Sequence, residues 1–377
     1  MNTQNVTFAG GAIFDGSTLR TNSAARFVGG ALQEVIPTSD LANGEHVEDL
    51  AGDILSPGYV DLQVNGGGGV MFNDAPTVET LTRIVRAHRQ LGATSILPTL
   101  ITDTTDKTQA AVEAAIRAVR DEVPGIIGLH LEGPHLSVRR KGAHDAELIM
   151  PMSGKDLDNL IAARENLPAL MVTIAPESVS KDQVATLSRA GIVVSLGHTD
   201  ASFETCLEYA DAGAICATHL FNAMSQLGSR EPGLVGAVLS NGALSAGLIA
   251  DTVHVHAQTM RAAFASKQGP GRIFLVSDAM AVAGTPQEEF RLEGRLIQRK
   301  NGRLTLQDGT LAGADLDLTT ALRNLTQQVG IPLEQALAAA TRIPADIVGI
   351  PAADRSAMSS FIRIRADLSG AVPVLDI

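Results

Sequence analysis

The chain has 377 residues, a formal charge of -12, 45% hydrophobic and 19% charged residues, and only two cysteines. Nucleic-acid affinity needs clustered Lys and Arg that release counterions from phosphates, so this acidic balance argues against it, and any anion site must be a local basic pocket. Cys206 and Cys216 lack CxxC spacing and sit in apolar-periodic segments, no apolar run nears the roughly 18 residues that cross a bilayer, and MNTQNVTFAGG lacks a basic, apolar leader. A soluble, cytoplasmic protein with no nucleic-acid or membrane partner is expected.

In chain order, residues 6–12, 25–27 and 31–35 form short alternating segments broken by Gly, Asn and Ser, which predicts a small β domain over residues 1–55. From residue 57, apolar runs rich in Val, Ile and Leu alternate with amphipathic stretches. The runs are 58–64, 94–98, 126–131, 170–175, 192–196, 214–218, 244–250 and 273–277; the helical patterns are 78–91, 107–120, 154–165, 181–190, 203–212 and 258–267. Eight such units predict an α/β fold, a closed (β/α)8 TIM-type barrel over residues 56–350, with functional groups just after the strands. A hairpin over 290–306 turning at Asn301-Gly302 decorates it, and residues 351–377 return to the small domain, making a discontinuous β-sandwich.

The strand interiors read as almost purely apolar, so the ionisable groups at their ends converge on one rim: Glu132 after the third, His198 after the fifth, His219 after the sixth, His254 after the seventh, Asp278 after the eighth. One Glu and two His can supply three ligands to a divalent ion and leave a position for water, so Glu132, His198 and His219 are the expected metal ligands. Such an ion acidifies water and polarises a carbonyl, as amide hydrolysis requires. Asp278 is placed to take a proton from water and return one to the departing amine. His46 and His88 read as structural, His256 as a surface or helix-start residue, and Cys216 as strand core. Gly66 to Gly69 permit close backbone approach but lack the downstream Lys of a nucleotide loop, and Arg139-Arg140-Lys141 reads as a solvated basic face.

The motifs PGYVDLQVNG, HLEGPHLS with KGAH, LGHTDAS, THLFNAM, ADTVHVH and LVSDAM, spanning residues 57 to about 315, resemble the N-acetylglucosamine-6-phosphate deacetylases of the amidohydrolase superfamily. The resemblance implies hydrolysis of the N-acetyl amide of N-acetylglucosamine 6-phosphate, with Glu132, His198 and His219 on the metal and catalysis by Asp278. It further implies substrate contacts at Ala143, His144, Asn222, Ala223, Arg230, His254, Leu311, Ala312 and Gly313, and a homodimer. Arg230 is the first choice for the phosphate, because its planar fork suits that anion. Gln63 and Asn65 stand where many relatives carry a His-x-His pair, which implies one divalent ion per subunit, zinc by default with Fe2+, Mn2+ or Co2+ also suited. The tail lacks the Gly-rich strand and Ala-Asp-Leu-Val ending common in amidohydrolases, keeping only Ala366-Asp367-Leu368. Three alternatives remain: a deacetylase for another N-acetylhexosamine phosphate, such as the galactosamine epimer, a different cyclic-amide or acylamino hydrolase of the superfamily, and a catalytically silent barrel that binds an amino-sugar phosphate as a sensor or scaffold.

Overall fold

The computed structural model describes residues 5–351 and 358–374, so the outer ends of the predicted 1–55 and 351–377 segments lie partly outside the described residues. Eight parallel strands, Tyr59–Val64, Ala93–Ile101, Leu129–Glu132, Leu170–Ile174, Val193–Leu196, Cys216–Ala217, Ser245–Leu248 and Ile273–Leu275, pair in sequence order. The first and last meet where Asp278 N donates to Gln63 O at 3.1 Å and Asn65 N to Ala279 O at 2.9 Å, which draws the ring together. The helices expected from periodicity form at Val78–Gln90, Thr105–Arg120, Gly154–Glu165, Lys181–Arg189, Phe203–Asp211 and Ala257–Ser266. Five of them start at a Ser or Thr (Thr77, Thr104, Ser153, Ser180, Ser202) whose hydroxyl accepts one of the otherwise orphaned first-turn N–H groups. His256 does the same for the sixth, accepting from Gln258 N.

Several elements differ from expectation. The third strand is Leu129–Glu132, with Ile126 reduced to an isolated bridge to Ile96, because Gly128 turns the chain at φ 149°. The sixth strand keeps only Cys216–Ala217. Helix Gly233–Ser240 has no amphipathic signature, since Leu234, Val235, Ala237 and Val238 are all buried and the segment is apolar all round. The predicted hairpin is a four-stranded antiparallel sheet of Glu289–Leu292, Arg295–Lys300, Arg303–Thr305 and Leu311–Ala314.

The strand interiors are not purely apolar. Asp61, Gln63, Thr99, His130, Glu132, Thr173, Ser195, Thr218 and Ser277 are all buried polar residues on barrel strands or their ends. His130 contacts Leu62 O at 2.9 Å and Thr173 Oγ1 at 2.7 Å, and the hydroxyls continue from Thr173 to Thr218 and on to Ser195 at 2.6 and 2.7 Å. Every member has a partner, so burying this chain carries no penalty of unmade hydrogen bonds.

The small β domain is two sheets around Phe8, Ile13, Phe27, Leu55 and Phe361. One sheet joins Val6–Ala9, Ser23–Val28, Ala31–Pro37 and Val47–Asp49; the other sets Phe361–Ile364 antiparallel to Ile54–Pro57. Asp53 ties the distant segments together, accepting from Arg363 Nε at 2.6 Å and Ala366 N at 3.0 Å.

Candidate metal centre and active site

The strands deliver their end residues to one rim, and the backbone there turns sharply. His198, His219 and Asp278 have φ of 46°, 32° and 50°, and Phe221, Ala223 and Thr252 on the following loops are also left-handed. Non-glycine residues seldom adopt this region, and such conformations cluster where a side chain must be aimed against backbone preference.

Three buried side chains converge. His198 Nε2 lies 3.2 Å and His219 Nε2 3.1 Å from Glu132 Oε1, and the two nitrogens are 3.0 Å apart. His198 Nδ1–H donates to Arg140 O at 2.8 Å, which leaves its Nε2 lone pair facing the cluster. Arg140 is itself held by Asp200 at 2.7 Å, so the basic run is partly a brace for His198 rather than a free solvated face. Burial pushes the Glu132 carboxyl up, but the bonds from His198 and His219 outweigh it and hold the group well below its usual range. Two imidazole nitrogens and a carboxylate oxygen within 4.8 Å of one another are a donor set suited to a divalent cation.

Asp278 sits beside this nest. Its Oδ1 accepts from Asn65 Nδ2 at 2.7 Å and Gln63 Nε2 at 3.2 Å, and Gln63 Nε2 also lies 3.2 Å from both Glu132 oxygens. Burial, then the neighbouring Glu132 charge, raises the Asp278 carboxyl to about 6. Oδ2 has no partner among the described residues. Below it Asp61 accepts from Ser277 N and Gln63 N at 3.2 Å, and burial pushes its carboxyl to about 7.

The remaining sequence candidates are less uniform. His144 is buried, its Nδ1 2.8 Å from Thr102 Oγ1 and its ring 4.5 Å from that of His198; burial, then the charge on His198, lowers it to about 3. Ala143 O accepts from Arg295 Nη2 at 2.8 Å. Asn222 Nδ2 donates to His219 O and Leu220 O at 3.3 Å. Leu311, Ala312 and Gly313 belong to a strand whose Ala314 N donates to Asp278 O at 2.9 Å, and a Cβ on Gly313 (φ 62°) would lie 2.4 Å from Met280 Cγ. His254 Nδ1 is 2.6 Å from Asp251 Oδ2. Arg230 is exposed and has no hydrogen bond or ion pair among the described residues, so the fold of this chain does not aim it. The glycine run docks backbone to backbone: Gly68 N donates to Ala283 O and Gly69 N to Ala281 O, both at 2.8 Å.

Several supporting residues stand outside the expected set: Asp61, His130 and Thr102 escape the strand-end criterion, whereas Asp251 directly follows the 244–250 run and meets it. A period-two signal was present for two of them, because Asp61, Gln63 and Asn65 alternate along one strand as His130 and Glu132 do along another. Thr102 and Asp251 carry no such mark.

Comparisons with known proteins place this geometry in context. Residues 54–353 match the amidohydrolase family. The chain is 41% identical over 320 residues, 85% of it and 80% of the relative, to an N-acetylgalactosamine-6-phosphate deacetylase of Shewanella sp. (strain ANA-3). It is 36% identical over 325 residues, 85% of it and 84% of the relative, to an N-acetylglucosamine-6-phosphate deacetylase of Haemophilus influenzae. Its fold superposes on the crystal structure of N-acetylglucosamine-6-phosphate deacetylase from Pasteurella multocida with a TM-score of 0.90 and 30% identity, covering 97% of each chain.

Proposed function

Because the chain belongs to the amidohydrolase family, we propose that it hydrolyses the N-acetyl amide of N-acetyl-D-glucosamine 6-phosphate to D-glucosamine 6-phosphate and acetate. The observation that carries this reading is the convergence of Glu132, His198 and His219 beside Asp278. A divalent cation held by those three residues supplies Lewis acidity toward the amide carbonyl and lowers the pKa of water toward about 7.

The chain's own groups do the rest. With Asp278 Oδ1 taken by two amide N–H donors, Oδ2 is the oxygen that accepts a proton from the attacking water. The same oxygen returns that proton to the sugar nitrogen as the C–N bond breaks, so the amine leaves neutral. Gln63 and Asn65 place amide nitrogens where a second cation would need lone pairs, which supports one ion per subunit, zinc first.

Arg230, His254, and Asn222 with the Ala223 backbone N–H are assigned to the phosphate, and Ala143, His144, Leu311, Ala312 and Gly313 to other parts of the substrate; the strand of Leu311–Ala314, pinned to Asp278 O through Ala314 N, supports the last three. Residues 1–55 and 351–377 are assigned to the small domain and 56–350 to the barrel, consistent with the pairing of Ile54–Pro57 with Phe361–Ile364. A homodimer fits the exposed apolar residues Val138 and Leu227 on rim loops, 54% and 60% exposed. Cytoplasmic placement fits two buried free cysteines, and no helix among the described residues is long and apolar enough to cross a membrane.

The Shewanella relative at 41% identity favours a second reading, the galactosamine epimer. Acetate release across N-acetylglucosamine and N-acetylgalactosamine, each with and without the 6-phosphate, tests both. Faster turnover of the galactosamine phosphate selects the second reading, and preference for unphosphorylated substrates rejects both.

A further inference from the structure

Asp251 and His254 form a dyad on the loop after the seventh barrel strand. Asp251 Oδ1 accepts from the backbone N–H of Val253 and of His254, both at 2.8 Å, and Oδ2 receives His254 Nδ1–H at 2.6 Å. The Asp251 and His254 side chains are 4% and 8% exposed. Thr252 between them takes φ 67°, and Asn324 Nδ2 fastens the loop's start by donating to Ala250 O at 2.9 Å. One carboxylate thus both folds the loop and locks the imidazole. His254 Nε2 has no partner among the described residues.

The chemistry of this pair limits its ligand. Nδ1–H is committed to Asp251, so a neutral ring offers only a lone pair at Nε2, which a phosphate ester cannot use because its oxygens are acceptors. A ring protonated at both nitrogens offers Nε2–H while its Nδ1–H stays on the buried carboxylate 2.6 Å away. Such a pair is neutral as a whole yet presents a charge-assisted donor at close range, which suits an anionic substrate on a chain of charge -12.

We propose that Asp251 is a positioning residue for the substrate's phosphate, fixing His254 as an imidazolium whose Nε2–H donates to a phosphate oxygen. The proposal rests on the sugar-phosphate reading above and goes beyond it by giving a role to a residue that touches no substrate atom.

The test is Asp251→Asn, whose carbonyl oxygen can still accept from the loop's backbone N–H groups but carries no charge. The quantity read is kcat/KM for the 6-phosphorylated N-acetyl sugar divided by that for the unphosphorylated one. The ratio is expected to fall about 10-fold, through KM of the phosphorylated substrate. In a His254→Gln background the same substitution is expected to leave the ratio where His254→Gln put it. Equal losses on both substrates, or additive losses in the double variant, overturn the proposal.

Imidazole 15N shifts of the unsubstituted protein titrated with inorganic phosphate give a readout independent of turnover and of the variants' folding. Two protonated nitrogens on His254 in the phosphate-bound state are expected. A neutral ring there, as when Nε2 accepts from a sugar hydroxyl, overturns the proposal. Absence of any sugar-phosphate turnover rejects the proposed function, while this measurement still reads the dyad.

Discussion

At the mouth of the barrel two groups of side chains stand next to each other and are built on different terms. Glu132, His198, His219 and Asp278 are 2–8% exposed, arise from four different strand ends, and mostly have a second contact that fixes them: Arg140 O for His198, Asn65 and Gln63 for Asp278. Of the residues assigned to recognition, Arg230 is exposed with no partner among the described residues, and the Asn222 amide turns onto its own loop. The chemical half is therefore preorganised by the fold of one chain, whereas the recognition half is mixed: the Asp251–His254 pair and the buried His144 are held in place, and Arg230 is left to order around an anion. Groups in place before substrate arrives act mainly on kcat; groups that order around substrate act mainly on KM.

The largest effect that can break this contrast is loss of the cation. Chelation, or His198→Ala or His219→Ala, is expected to lower kcat/KM by about 10^3-fold or more, with bound metal falling from one equivalent per chain; several kcal/mol of Lewis-acid stabilisation is at stake. Two equivalents retained through dialysis would instead refute the single-ion assignment. Next, Asp278→Asn is expected to cost about 10^2–10^4-fold in kcat while the sugar phosphate still binds, measured by steady-state kinetics beside calorimetry. A loss confined to KM would move Asp278 into the recognition half.

Two smaller effects sharpen the line between the halves. Asn65→Ala removes the 2.7 Å contact that holds Asp278 Oδ1, and a support of this kind is worth about 10–100-fold, expected in kcat. Arg230→Ala is expected to raise KM for the phosphorylated substrate by about 10–100-fold with kcat little altered, the loss of a charge-assisted hydrogen bond. The opposite pattern in either variant would erase the distinction.

How far the sequence exposes these two halves follows from their physics. Eight apolar runs announce the barrel, and the ionisable residues that follow five of them announce its rim groups, because burial forces both patterns. The uniformly apolar helix Gly233–Ser240 and the two-residue strand Cys216–Ala217 leave no periodic trace, since one has no polar face and the other is too short to alternate. The polar barrel interior hides for another reason. Thr173, Ser195 and Thr218 are single hydroxyls on separate strands, and only the closed ring brings them onto His130. Arg230 has no local pattern at all, and the motif resemblance alone singled it out.

The smallest prediction concerns what preorganisation costs. Asp61 is fully buried beneath Asp278, and burial raises its carboxyl to about 7 from an ordinary value near 3.8. The folded chain therefore holds a proton there that the unfolded chain releases, so Asp61 contributes stability that is complete below about pH 4 and lost as pH rises through about 7. Asp61→Asn keeps an acceptor for Ser277 N and Gln63 N but carries no charge to bury. Thermal melts with the cation chelated should show the variant's Tm gaining on the parent's by roughly 2 °C or more between pH 5 and pH 8. Parallel Tm curves would mean that the charge beneath Asp278 is already compensated, and that the chemical half is held in place without a stability cost at this position.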